Sequence, residues 1–298
     1  MTYGMSDESY RGRFAPSPSG PLHLGSLLAA LASWADARAA GGVWLIRMED
    51  LDPPREQAGA DRLILDLLDA AGLHSDEPVL YQSTRQLAYE EALSRLLQAG
   101  LAFECRCSRS DLAAAGGIHR GACVANDGTR RPAAIRLRVP DADIGFEDRV
   151  QGPYVQNLRR DVGDFVLRRA DGPHAYQLAV VVDDAHQGIT DVVRGADLLD
   201  STPRQVFLQR CLGLPTPRYA HVPVLLGPDG QKLSKQNRAP AISSEQIAEL
   251  LPRIAGLLGQ EPQQLAPLPA QLTSIARHWH MSTVPRQLAV VAPCTDIG

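Results

Sequence analysis

Apolar positions along the chain alternate between short continuous runs and helical stripes. RGRF, residues 11–14, runs into the Pro/Gly/Ser turn APSPSG and reads as a strand that stops abruptly. Leu24, Leu27, Leu28, Leu31 and Trp34 then recur at helical spacing, and Gly41–Gly42 supply the stop. VWLIRMED is a continuous apolar run with a charged end, the pattern of a strand covered on both faces. Residues 57–72 and 84–100 read as amphipathic helices. Strand, helix, strand, helix in this order predicts an α/β domain built on a doubly wound parallel sheet.

From about Leu101 the alternation breaks. Cys105 to Val162 holds short, irregular segments rich in turn residues, which reads as an insertion. DFVLRR and YQLAVVVDDA are expected to be strands that resume the sheet, followed by a helix near 203–213. The loop GPDGQKLSKQ follows at 227–236, and weaker helices are expected at 243–259 and 270–280. The expected organisation is a polar tail over 1–10, two halves of one α/β domain over 11–104 and 163–241, the insertion over 105–162, and a short helical segment over 242–298.

Composition narrows the class. At 44% hydrophobic and 21% charged residues, the chain is globular rather than largely disordered. No apolar run approaches the ~20 residues that cross a bilayer. MTYGMSDESY lacks a basic region followed by an apolar one, so no secretory signal is expected. Five cysteines, an odd number, then suit a reducing cytoplasm better than a disulfide framework. With a net charge of −4, a polyanionic partner needs a local basic face. Of 30 Lys and Arg residues only Lys232 and Lys235 are lysine, and both sit in QKLSKQ. An ammonium is a compact, rotatable point charge that a planar guanidinium does not imitate, so the clustering suggests that this loop needs ammonium groups.

Two segments carry candidate phosphate chemistry. RFAPSPSGPLHLGS, residues 13–26, puts His23 and the backbone of Gly25 at a helix N-terminus, where N–H groups and the helix dipole favour phosphate. The imidazole adds a donor, and the glycine lets a flat base or ribose approach the backbone. In QKLSKQ, two ammonium groups on one loop can clamp a triphosphate and follow the charge as pyrophosphate leaves. Taken singly, these are also an ordinary helix start and a solvated basic loop.

ECRCSRSDLAAAGGIHRGAC offers Cys105, Cys107, His119 and Cys123, three thiolates and an imidazole, a tetrahedral set for structural zinc. Such a set leaves no open position, so the metal would brace the insertion rather than act on substrate. Cys211 and Cys294 read as bystanders. The arginines of NLRR (157–160), VLRR (166–169) and TRR (129–131) fit either RNA phosphates or a solvated face. Asp183 and Asp184, at the end of the expected VVVDD strand, are candidates for ribose or RNA.

HLGS and KLSKQ, in this order and roughly two hundred residues apart, resemble the HIGH and KMSKS signatures of class I aminoacyl-tRNA synthetases. RFAPSPSG, RMEDLDPPRE, YQLAVVVDD and VRGADLLDSTPRQ resemble the glutamyl/glutaminyl branch, and the likeness runs from Arg13 to about Ala241. The resemblance implies a Rossmann-like catalytic domain that uses L-glutamate and ATP, with Mg²⁺ accompanying ATP and a zinc in the insertion. In that family the fourth zinc ligand is often Tyr where this chain has His119. The resemblance makes His23, Lys232 and Lys235 catalytic and gives ATP contacts to His23, Gly25, Ser26 and Lys235. It gives glutamate contacts to Arg13, Phe14, Ala15, Pro16, Ser17, Glu49, Tyr176 and Arg194.

Glutamate's own chemistry agrees, since two carboxylates call for guanidinium forks and one ammonium for an anion. Glu49 is assigned to the ammonium and the two arginines to the carboxylates, with either pairing open. Taken alone, Glu49 is equally suited to a salt bridge with Arg47 or Arg55, and Tyr176 to a core position.

The stretch after the loop is short for the helical domain with which glutamyl enzymes read the anticodon. Shortened members of the branch transfer glutamate to the cyclopentenediol ring of queuosine, at the wobble position of tRNA(Asp). The resemblance therefore implies queuosine-bearing tRNA(Asp) as partner, in a cytoplasmic monomer without membrane contact. The alternatives are a ligase or nucleotidyltransferase of the same superfamily acting on a free acid without RNA, and a catalytically silent, zinc-braced RNA-binding module.

Overall fold

The computed structural model describes residues 9–121, 123–125, 131–233, 240–261 and 267–292. The chain begins with β1 (Arg11–Phe14), α1 (Leu24–Ala39), β2 (Val43–Met48), α2 (Ala60–Ala70), β3 (Leu80–Tyr81) and α3 (Gln86–Gln98). It continues through β4 (Ala102–Cys105), α4 (Arg109–Ala114), β5 (Ala134–Leu137), β6 (Asp143–Asp148), β7 (Gly152–Asn157), α5 (Leu158–Asp161) and β8 (Phe165–Arg168). Then follow α6 (Tyr176–His186), β9 (Asp191–Gly195), α7 (Thr202–Leu212), β10 (Arg218–Val222) and β11 (Val224–Leu226). The last elements are α8 (Ile247–Leu257), α9 (Leu268–Arg277) and β12 (Ala289–Val291).

β1, β2 and β3 pair in parallel, with Arg13 opposite Leu45 and Arg47 opposite Leu80. β10 runs parallel to both β9 and β6, and β7 adds an antiparallel edge to β6. β9 lies beside β1, where the Thr190 N–H donates to the Arg11 carbonyl at 3.0 Å. The strand order thus reverses between β1 and β9, in a mixed, Rossmann-like α/β fold. Ligands of such sheets sit at the carboxyl ends of the strands at this reversal. One core packs α1, α8 and α9 on one face of the sheet; another packs α3, α6 and α7 on the opposite face. Helices on both sides explain why β2 reads as an unbroken apolar run.

Three expectations change. YQLAVVVDDA forms the helix α6, not a strand. An apolar run of this length has no period that separates a buried strand from a buried helix, and Leu178 to Val181 are all buried. DFVLRR does form a strand, β8, but it pairs antiparallel with β5 in a separate sheet ordered β4-β5-β8. Conversely β6 and β7, inside the expected insertion, return to the main sheet. Among the described residues no helix is long and apolar enough to cross a membrane.

The C-terminal segment is tied to α1 by one buried carboxylate. Asp36 accepts from Tyr10 Oη at 2.6 Å, from both terminal nitrogens of Arg149, and from Trp279 Nε1 at 3.1 Å. Trp279 is itself buried in the core formed with α8 and α9. Asp36→Ala is expected to cost about 3 kcal/mol, because it leaves Arg149 with Asp191 alone and two buried polar hydrogens without their acceptor. Trp279→Phe should cost only about 1 kcal/mol, for the single lost hydrogen bond. Urea denaturation of the two variants measures both.

Candidate active site

The turn after β1 is built by backbone contacts. The Glu49 N–H donates to the Pro16 carbonyl and the Gln57 N–H to that of Pro18, both at 2.9 Å, which staples the turn to the segment after β2. The turn delivers His23 as the N-cap of α1. Its Nδ1 accepts from the Ser26 N–H at 3.2 Å, and Nε2 lies 3.0 Å from Ser26 Oγ. The imidazole thus stands at the phosphate-favouring end of α1.

A cavity of about 800 Å³ opens there, at the carboxyl ends of β1, β2 and β9. Arg13, Phe14, Ala15, Pro16, Ser17, His23, Gly25, Ser26, Glu49, Tyr176, Arg194 and Lys232 all line it. Lys235 lies outside the described residues. Gly25 has a steric role, because a Cβ there would sit 3.2 Å from the His23 ring and 3.4 Å from the Leu233 carbonyl. The lysine loop therefore approaches the start of α1 closely, and Lys232 Nζ reaches Asp197 Oδ2 at 2.6 Å on the cavity wall. Also on the cavity wall, Arg169, just after β8, joins Asp52, after β2, at 3.1 Å.

The buried charges on the wall are unequal. Arg13 makes a two-point contact with Asp184, Nε at 3.0 Å and Nη2 at 3.3 Å. Arg47 reaches the same Asp184 at 2.7 Å and Glu49 at 3.3 Å. Burial alone would raise Asp184, but Arg13 and Arg47 outweigh it and hold the carboxyl below its usual range. Glu49 goes the other way: burial pushes it up, against the pull of Arg47 and Arg13. The salt bridge to Arg47 and the place on the cavity wall thus coexist for Glu49.

Arg194, in contrast, has no carboxylate partner among the described residues. It meets His221 Nε2 at 3.1 Å, Tyr176 Oη at 3.3 Å and Thr202 Oγ1 at 2.9 Å. It is also only 6% exposed, a buried cation facing a cavity.

Tyr176 opens the helix α6 instead of lying on a strand, and still reaches the wall because the helix N-terminus faces the cavity. Asp183 and Asp184 are not ribose or RNA contacts. Asp183 is fully buried and holds Tyr89, Gln82 and Arg85, while Asp184 holds Arg13 and Arg47. The sequence singled out Asp184 but not its pairing with Arg13 and Arg47, and it did not single out Asp148 or His221. The signal for His221 was an ionisable residue in the apolar strand RYAHV, which calls for a buried partner.

Away from the cavity, Cys105, Cys107 and His119 bring ligand atoms within 4.8 Å of one another, and Cys123 Sγ lies 3.3 Å from Cys107 Sγ. His119 Nδ1 meets Asp164 Oδ2 at 2.8 Å, while its Nε2 is buried with no hydrogen-bond partner. Gly163 (φ +76°) makes this packing possible, because a Cβ there would fall 2.3 Å from the His119 carbonyl. Of the cysteines read as bystanders, Cys211 lies in α7, away from this cluster, and Cys294 lies outside the described residues.

Fold and cavity together define a class I tRNA synthetase catalytic domain. The family model of that description, tRNA synthetases class I (E and Q), catalytic domain, matches residues 9–125 and 119–253. Glutamyl-Q tRNA(Asp) synthetase of Xanthomonas oryzae pv. oryzae is 57% identical over 287 residues, 95% of each chain. Its counterpart in Pseudomonas putida is 53% identical over 289 residues, 96% of each. The chain belongs to the glutamyl-Q tRNA(Asp) synthetase family. Among solved structures, a glutamate tRNA ligase from Elizabethkingia meningosepticum superposes with a TM-score of 0.82 at 24% identity, covering 97% of this chain and 68% of that one. The glutamate-tRNA synthetase of Elizabethkingia anophelis gives 0.83 at 23%, covering 97% and 69%. At these identities the likeness is one of fold.

Asp184 and Asp148 both have carboxyls held below their unfolded values, the first by Arg13 and Arg47 against burial, the second by His221 against burial. Each contributes stability that is present above about pH 4 and is lost as pH falls through its folded value. His221 is pushed down by burial despite Asp148, so it adds stability above its unfolded value of about 6.5 that is lost below it. Denaturation midpoints should fall gradually below about pH 6.5 and steeply below about pH 4. Asp184→Asn should lower stability by about 3–5 kcal/mol at neutral pH, since it leaves buried guanidinium uncompensated.

Proposed function

We propose that the protein activates L-glutamate with ATP and transfers it to the queuosine base at the wobble position of tRNA(Asp). The observation that carries this reading is the shared cavity. A buried guanidinium with no carboxylate partner among the described residues, Arg194, lines the same cavity as His23 at the α1 N-terminus and Lys232 on the loop. The site is made to receive a carboxylate beside a polyphosphate.

Arg194 takes one substrate carboxylate, Glu49 the ammonium, and Tyr176 packs between them. Arg13, already held by Asp184, shapes the wall and adds positive potential for the second carboxylate. A glutamate carboxylate oxygen then attacks the α-phosphorus of ATP. The new P–O bond forms as the bond to the β-phosphate oxygen breaks, and pyrophosphate leaves with the electron pair. His23, Lys232 and Lys235 stabilise the charge on the phosphates, with Gly25 and Ser26 against the nucleotide, and Mg²⁺ accompanies ATP. A hydroxyl of the RNA base attacks the carbonyl carbon of the mixed anhydride. The ester forms, AMP leaves, and the hydroxyl proton passes to the AMP phosphate. This chemistry belongs in the cytoplasm, where ATP and tRNA are.

The cluster at Cys105, Cys107, His119 and Cys123 fits zinc. Three sulfurs and an imidazole suit a borderline-soft ion, and the buried, unpartnered His119 Nε2 is the atom a metal would satisfy. Asp164, against the other ring nitrogen, fixes the orientation of the ring. Bound there, zinc would fasten the segment around His119 to β4.

Labelled glutamate should enter tRNA that carries queuosine and not tRNA that lacks it; incorporation into both would defeat the acceptor assignment. Lys235→Ala should reduce glutamate-dependent ATP–pyrophosphate exchange by about 10²–10³-fold while leaving glutamate binding intact. Elemental analysis should find zinc in the purified protein, and Cys123→Ser or His119→Ala should lose it and lower the melting temperature.

A further inference from the structure

Three groups around the cavity are left unused by this mechanism: Asp197 beside Lys232, the Asp52–Arg169 bridge on the cavity wall, and the residues behind Arg194. The third group is the most completely built. His221 is fully buried in β10, and Asp148, at the end of β6, is 3% exposed. Asp148 Oδ1 accepts three backbone N–H groups, from Val150 at 3.0 Å, Gln151 at 2.8 Å and His221 at 3.1 Å. Its other oxygen lies 2.6 Å from His221 Nδ1. The carboxylate is therefore fixed, and the ring proton is assigned to Nδ1, where it has an acceptor. Nε2 is left as a lone pair, and Arg194 Nε–H points at it from 3.1 Å.

We propose that Asp148 and His221 are positioning residues for substrate: they hold the Arg194 guanidinium in its binding orientation without neutralising it. The proposal rests on the reading of the cavity as a glutamate site. The contrast with Arg13 and Arg47 carries it. Those two buried arginines share Asp184, and Arg47 also meets Glu49, so each already has a carboxylate partner. Among the described residues Arg194 instead donates only to neutral acceptors, His221 Nε2, Tyr176 Oη, Thr202 Oγ1 and the Leu198 carbonyl. Asp148 acts on Arg194 through the width of an imidazole. A carboxylate in the place of His221 would hold Arg194 as firmly and compete with the substrate carboxylate for its charge. A ring locked with its lone pair toward Arg194 orients the fork and leaves the charge available.

The test uses substitutions that change the hydrogen-bonding sense with little change in shape. In Asp148→Asn the backbone N–H groups require the amide oxygen, so the amide nitrogen faces His221 Nδ1. The ring proton then moves to Nε2 and meets the Arg194 donor head on. His221→Phe fills the space without an acceptor, whereas His221→Gln keeps a carbonyl for Arg194 and a donor for Asp148. In ATP–pyrophosphate exchange, Asp148→Asn and His221→Phe should raise the glutamate KM about tenfold or more, with the ATP KM within about twofold of wild type. His221→Gln should restore most of the loss.

A merely structural role would lower the melting temperature and leave the glutamate KM of the folded fraction unchanged. That result, or equal damage from His221→Gln and His221→Phe, would overturn the proposal. If His221→Phe does not fold, Asp148→Asn decides the matter alone. Wild-type protein that shows no glutamate-dependent exchange would instead sink the reading of the cavity.

Discussion

Asp184 is the interaction on which the site depends. It sits in α6 and meets Arg13 from β1 and Arg47 from β2, so one carboxylate joins three elements beneath the cavity floor. Burying a guanidinium among strands is costly, and a nearby anion offsets much of that cost. Asp184 supplies the anion for Arg13 and Arg47, and in doing so it fixes α6 against the sheet with Tyr176 on the cavity wall. The neighbouring Asp183 extends the same arrangement outward to Tyr89, Gln82 and Arg85.

Against these directly paired arginines, Arg194 stands out. The fold surrounds it with neutral acceptors and leaves its charge directed at the cavity. One site thus contains two ways of burying arginine. Direct pairing gives a rigid wall; support by neutral groups gives a binding residue. The same logic separates His119 from His221. Each has a carboxylate on Nδ1, but His221 spends its other nitrogen on Arg194 whereas that of His119 stays unpartnered among sulfurs.

Much of this was legible in the chain. The strand-to-helix turn at 13–26, the apolar strand β2 and the Cys/His cluster follow from local patterns, because a turn, a helix start or a closely spaced ligand set is written in neighbouring residues, whereas Tyr176 and Arg194 were named through the family resemblance. α6 was not legible as a helix, since a run buried on all sides loses its period. Nor did the boundary of the insertion follow from local sequence. Whether β6 pairs with β10, and β8 with β5, depends on partners some thirty to seventy residues away.

The sequence by itself determined the residue types of the site and their order: a histidine at a helix tip, two lysines on a loop, arginines and a glutamate at strand ends. Only the tertiary structure decided which charges are already compensated. Asp184 lies 171 positions from Arg13, and Asp148 lies 73 from His221. Hydrogen bonds and desolvation act over a few ångströms of space, and no local pattern in the chain encodes which distant residue will arrive within that reach.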